Sequence, residues 1–103
     1  MNYDCCVLAN TGVEADEIAV KIAFKWAYNK KFVEPNKARI ILAWDNFWGR
    51  TIAASGSSND PDRYFNYGPY GFNCTLIDYN NSEQLENLLK LDPNIAAFMI
   101  EPI

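Results

Sequence analysis

Apolar residues recur at Ala15, Ile18, Ala19, Ile22, Ala23, Trp26 and Ala27, in steps of three and four. A helix completes a turn every 3.6 residues, so this spacing predicts a helix with one apolar face. Glu14, Asp16 and Glu17 crowd its first turn, and Lys30 and Lys31 its last. That distribution suits the positive amino end and the negative carboxyl end of a helix dipole. Pro35-Asn36 ends the pattern. Beyond it, Ala38 to Trp44 (ARIILAW) is a nearly continuous apolar run, as in a strand buried on both faces.

Shorter runs complete the picture. Asp4 to Ala9 (DCCVLA) reads as a strand, and Asn10-Thr11-Gly12 supplies turn chemistry after it. Residues 46–58 predict a loop and a short helix beginning near Gly49. Residues 59–73, rich in Asp, Pro, Gly, Asn and Tyr, predict an ordered loop. Cys74 to Tyr79 (CTLIDY) is a further strand. Asn81-Ser82 can cap a helix whose Leu85, Leu88 and Leu89 repeat at helical spacing. Asp92-Pro93-Asn94 turns the chain into a last strand, Ile95 to Ile100. Alternation of strands and helices implies an α/β fold with a largely parallel sheet. Right-handed crossovers put helices on its faces and ligands at the carboxyl ends of its strands.

The chain has 103 residues, 50% of them hydrophobic and 21% charged, which fits one ordinary domain. A domain of this size buries only about two-thirds of its unfolded surface. The aromatic fraction of 15% is concentrated between Phe47 and Phe72, and those rings need a surface to pack on. A net charge of −4 with no histidine argues against nucleic acid, which selects basic surfaces. The same lack removes the commonest metal ligand and general base, and no metal site is expected. Cys5, Cys6 and Cys74 have no metal spacing and read as reduced, intracellular core residues. No run is long enough to span a bilayer and no signal-peptide pattern opens the chain. Strand-like runs at both ends predict truncation at both termini, since bare strand edges invite aggregation.

Three motifs fall where such a fold binds ligands. At Asn10-Thr11-Gly12-Val13-Glu14, a strand hands over to a helix, and the Gly12 and Val13 amides could hold a phosphate group. The alternative is a capped turn without ligand, and the Glu14 carboxylate opposes an anion unless it points away. In Asn46-Phe47-Trp48-Gly49-Arg50, the aromatics could stack on a planar ring and Arg50 could grip a carboxylate. They could equally pack on the protein, with Arg50 paired to a surface acid. Glu101 faces the predicted crevice, or simply ends a strand in water. Gly68-Pro69-Tyr70-Gly71-Phe72 is either a self-packed turn or a subunit contact.

The runs NTGVEADE, NFWGRT, GPYGF and AAFMIEPI, in this order and over essentially all 103 residues, resemble the class-III pyridoxal-phosphate-dependent aminotransferases. Within that family the branch acting on ornithine looks nearest, because NFWGRT has Trp-Gly where many relatives have His-Gly. The resemblance implies the three-layer αβα large domain of aspartate-aminotransferase-like enzymes, residues 1–103 forming part of its cofactor-binding domain. It implies pyridoxal 5′-phosphate as cofactor, with Gly12 and Val13 at its phosphate, Phe47 stacked on its ring and Glu101 beside it. Arg50 would take the α-carboxylate of ornithine, with Trp48 at the substrate. The family's homodimer, its use of 2-oxoglutarate and a cytoplasmic or mitochondrial setting follow in the same way. The lysine on which the family's chemistry depends has no counterpart among Lys21, Lys25, Lys30, Lys31, Lys37 and Lys90, so this chain alone is expected to be inactive. Two other readings stay open: a relative acting on acetylornithine or 4-aminobutyrate, and a phosphate-binding module without catalysis.

Overall fold

The computed structural model describes residues 2–103. Helix α1 (Gly12–Asn29) leads into strand β1 (Arg39–Ala43), then the short helices α2 (Ile52–Gly56) and α3 (Pro61–Tyr64). Strand β2 (Asn73–Ile77), helix α4 (Ser82–Leu91) and strand β3 (Ile95–Met99) follow. The three strands are parallel and ordered β2-β1-β3, so β1 has a neighbour on each edge.

Central position explains the composition of β1. Ile40, Ile41, Leu42 and Ala43 are all buried, because successive side chains point to opposite faces and both faces are covered. Ile40 and Leu42 pack with Val20 of α1, Trp48 and Ala54. Ile41 packs the other way, with Ile77, Ile95 and the Leu85 and Leu88 side chains of α4. The sheet therefore lies between α1 and α4. The α/β, three-layer reading of the sequence holds.

Thr11 starts α1 through a capping box: Glu14 N–H donates to Thr11 Oγ1 at 3.3 Å, while the Glu14 carboxylate accepts from the Thr11 N–H at 3.0 Å. At the other end, Lys31 Nζ reaches the Ile95 carbonyl at 2.7 Å and ties the helix to the start of β3.

The buried face of α1 differs from the expected one. Val13, Val20, Ala23, Phe24 and Ala27 face the core, whereas Ile22 and Trp26 are 59% and 50% exposed. The helix carries two apolar stripes. Val13, Val20 and Ala27 are seven residues apart, and such steps return to one line along a helix to within about 20°. The sheet takes that stripe, and the Ile22–Trp26 stripe stays in water.

The expected strand Asp4 to Ala9 is absent. These residues carry no strand pairing and are exposed, Leu8 at 89%. An apolar run becomes a strand only where it finds a neighbour for its backbone, and this run pairs with neither of the open outer edges, those of β2 and β3. Cys5 and Cys6 are consequently exposed rather than core residues, while Cys74 is half-buried on β2, its thiol pushed up by burial. The surface of 7696 Å² exceeds the about 5,900 Å² of a typical monomer with this mass of 11.7 kDa. Much apolar surface remains uncovered.

Candidate functional site

The amino end of α1 has its donors divided in two. Glu14 Oε2 accepts from the Asn10 and Thr11 N–H groups, at 2.8 and 3.0 Å. The Gly12 and Val13 N–H groups, in the first turn, have no intrahelical acceptor by geometry. Among the described residues no other acceptor meets them. Folding Glu14 back on the cap resolves the objection raised by its charge: it occupies the two donors before the helix and leaves the two inside it.

The loop after β1 is fastened from beneath. Asp45 turns the chain with a φ of 62° and exchanges two 2.8 Å hydrogen bonds with Asn59. Buried Asn46 donates from Nδ2 to the Ala43 and Ser57 carbonyls, at 2.9 and 3.0 Å. Trp48 is 7% exposed, and its indole N–H donates to Ser57 Oγ at 2.8 Å, which donates in turn to the Ala54 carbonyl. Asn46 Oδ1 meets no partner, but the other buried polar groups here are satisfied, and each broken link would leave a desolvated one. The loop thus presents Phe47, 41% exposed, from a rigid base.

Gly49 joins this loop to α1. Its φ of 152° disfavours any side chain, and a Cβ there would lie 2.2 Å from Val13 Cγ2. The Gly49 backbone of the aromatic loop and the Val13 side chain at the start of α1 are therefore in van der Waals contact. The end of β3 meets the loop too. Glu101 Oε1 accepts the Phe47 N–H at 2.9 Å, and the Tyr79 hydroxyl donates to the Glu101 carbonyl at 2.9 Å. Burial, with the Glu101 carboxylate second, pushes the Asp16 carboxyl above its usual range. The contact of Val13 with Gly49 and the hydrogen bond of Glu101 to the Phe47 amide thus lie on the loop after β1.

Arg50 and Trp48 part company. The Arg50 guanidinium lies 5.5 Å from the Phe47 ring centroid, beside a cavity of about 610 Å³ walled also by Ile52, Ser55, Asp62 and Tyr67. Trp48 sits in the core under α1 with Phe72, ring centroids 6.4 Å apart, and does not line that cavity. The indole supports the loop rather than facing a ligand there. Sequence reasoning missed Asn46, Ser57, Asn59 and Arg63. Arg63 stacks on Phe47 at 4.7 Å, donates to the Asn46 carbonyl at 3.1 Å and pairs with Asp60 at 3.1 Å. The sequence predicts an ordered loop over residues 59–73; the short helix α3 inside it is signalled only by Asp60-Pro61, a helix-start pair.

A family profile described as Aminotransferase class-III matches residues 1–103. Over 101 residues the chain is 50% identical to the mitochondrial ornithine aminotransferase of Drosophila melanogaster, covering 98% of this chain and 23% of that protein. It is 48% identical to the Rattus norvegicus mitochondrial ornithine aminotransferase, over 99% of this chain and 23% of that protein. The chain thus spans less than a quarter of the length of these relatives. Among solved structures, ornithine aminotransferase from Toxoplasma gondii ME49 superposes with a TM-score of 0.88 at 53% identity, covering 92% of this chain and 22% of that one. Acetylornithine aminotransferase from Elizabethkingia anophelis gives 0.66 at 45% identity, with the same coverage of 92% and 22%.

Proposed function

The chain belongs to the class-III aminotransferases, and on that footing we propose that it forms one wall of the active site of an ornithine aminotransferase. The supporting observation is the meeting of Val13, Gly49, Phe47 and Glu101 at one end of the sheet. The cofactor implied by the family is pyridoxal 5′-phosphate, and the residues present fit it. Two open N–H groups, Gly12 and Val13, suit its phosphate at a helix amino end. The half-exposed Phe47 ring, held on its rigid loop, suits the flat heterocycle. Bound there, the cofactor would supply the electron sink that amino-group transfer requires.

The remaining roles belong to this chain's own side chains. Glu101 orients the ring-binding loop through the Phe47 amide. Trp48 and Asn46 fix that loop from the core side. Arg50 would bind the α-carboxylate of ornithine, so that the side-chain amine is the end presented for transfer. The reaction proposed for the whole protein converts ornithine to glutamate semialdehyde and passes the amino group to 2-oxoglutarate, giving glutamate. The lysine that family chemistry requires would come from sequence outside these residues, and the 103-residue chain alone would not turn over. A homodimer would cover part of the exposed apolar surface. The three free cysteines suit an intracellular protein, and no helix among the described residues is long and apolar enough to cross a membrane.

Substrate profiling of the full-length polypeptide carrying this chain tests the reading. Ornithine should be converted with cofactor present, and trapping should recover glutamate semialdehyde. A clear preference for N-acetylornithine would overturn the substrate assignment, and the 45% identity to an acetylornithine enzyme makes that comparison the informative one.

A further inference from the structure

Two charged groups on the wall of the cavity beside Phe47 have no protein partner. Arg63 is not one of them, since Asp60, the Asn46 carbonyl and the Phe47 ring occupy its guanidinium. Arg50 touches only the face of Phe47, and makes no hydrogen bond or ion pair among the described residues. The Asp62 carboxylate likewise accepts no hydrogen bond and joins no ion pair among them; only its backbone N–H is engaged, by Asp60. Arg50 and Asp62 line the same cavity of about 610 Å³ without pairing to each other. Phe47, Ile52 and Tyr67 supply apolar wall to the same cavity.

A free cation and a free anion on one apolar-walled cavity are complementary to a zwitterion. We propose that Asp62 is a specificity-determining residue that binds the α-ammonium group of the substrate amino acid while Arg50 binds its α-carboxylate. This deepens the ornithine reading and rests on it. A carboxylate grip alone cannot tell ornithine from the same chain lacking the α-amino group, because both present one carboxylate and one distal amine. An opposed acid adds that distinction: it attracts the α-ammonium and gains nothing from a methylene. It also disfavours N-acetylornithine, whose α-nitrogen carries no charge. Both groups are solvent-exposed, so the discrimination they supply is modest, about three- to tenfold, in the range of charge-assisted contacts open to water.

The test compares ornithine with 5-aminopentanoate in the cofactor-loaded full-length polypeptide, by steady-state kinetics and by calorimetric binding of each compound. In the wild type, ornithine should be preferred. Asp62→Asn should raise the KM and Kd for ornithine about three- to tenfold with kcat held, and leave 5-aminopentanoate unchanged. Arg50→Gln should weaken both compounds alike. Equal losses for both in Asp62→Asn, or no loss for ornithine, would overturn the assignment while leaving the ornithine reading intact. A wild type that binds cofactor but converts neither compound would overturn both. Asp62 lies in the first turn of α3, so Asp62→Ser is the companion variant; it should show the same split if the first variant folds poorly. A split in neither variant counts against the proposal.

Discussion

Helices α1 and α4 cover opposite faces of one sheet, yet they meet water differently. On α4, Leu85 and Leu88 rest on Ile41, Ile77 and Ile95. Its outer side carries Glu86 and Lys90, paired at 2.7 Å one turn apart, and leaves Leu89 and Leu91 exposed near them. Helix α1 is apolar on two sides, one against Ile40 and Leu42 and one, at Ile22 and Trp26, in water. Their amino ends differ as well. Asn81 caps α4 through Gln84 N–H, and the Gln84 side chain accepts from Asp78 N–H just before the helix. Each helix leaves its first two N–H groups open among the described residues, but at α1 the Glu14 carboxylate folds back on the cap and the Gly49 backbone abuts Val13. In the proposed reading, one helix is scaffold alone and the other is scaffold and binding surface together.

The sharpest break in that contrast comes at Gly49. Gly49→Ala combines an unfavourable φ with a 2.2 Å clash against Val13. It should cost about 3 kcal/mol of stability, read by denaturant unfolding, and weaken pyridoxal-phosphate binding more than tenfold. Core truncations come next. Ile40→Ala, beneath α1, should cost about 3 kcal/mol, and Leu88→Ala, at the half-open α4 contact, about 1 kcal/mol. Equal costs would mean that the two faces are packed alike. Replacing the outer stripe, as in Trp26→Gln, should change the stability of the folded unit by no more than about 0.5 kcal/mol. It should reduce self-association in sedimentation, and a large unfolding effect would show that this stripe is buried after all.

The smallest effect is a pH dependence. Burial and Glu101 raise the Asp16 carboxyl in the folded state above its unfolded value, so between those two values the folded protein binds more protons. Stability contributed by the neutral acid is present at low pH and falls as pH rises through that window. Asp16→Asn should raise the melting temperature slightly near neutral pH and leave it unchanged below pH about 3, under the ordinary carboxylate range. A rise of the same size at both pH values would assign the gain to something other than charge.

The contrast also explains what could be read from residues alone. Local patterns gave β1, β2, α4 and β3 within a residue or two, because runs such as Ile40–Ala43 and the Leu85–Leu88 step are set by their own burial. The turn at Gly12 and Val13 was legible for the same reason: a glycine followed by a helix start announces its open donors. Non-local facts were not legible. Whether Asp4–Ala9 pairs depends on a neighbour, not on its own apolarity. Which stripe of α1 turns inward depends on the sheet beneath it. Trp48 announced itself as an aromatic beside a binding loop, but its burial follows from Ser57, nine residues on, and from Phe72. Arg63 and Asp62 belong to a stretch that reads only as polar loop.

The missing side chain at Gly49 has a practical bearing on altering this protein. With no atom to spare between that backbone and Val13, the proposed slot for a ring and the proposed seat for a phosphoryl tail cannot be resized independently. Bulk added on either part would shear one against the other and spoil both. Room for a longer or branched substrate is better sought across the cavity, at Ile52 and Tyr67, where neither seam is disturbed.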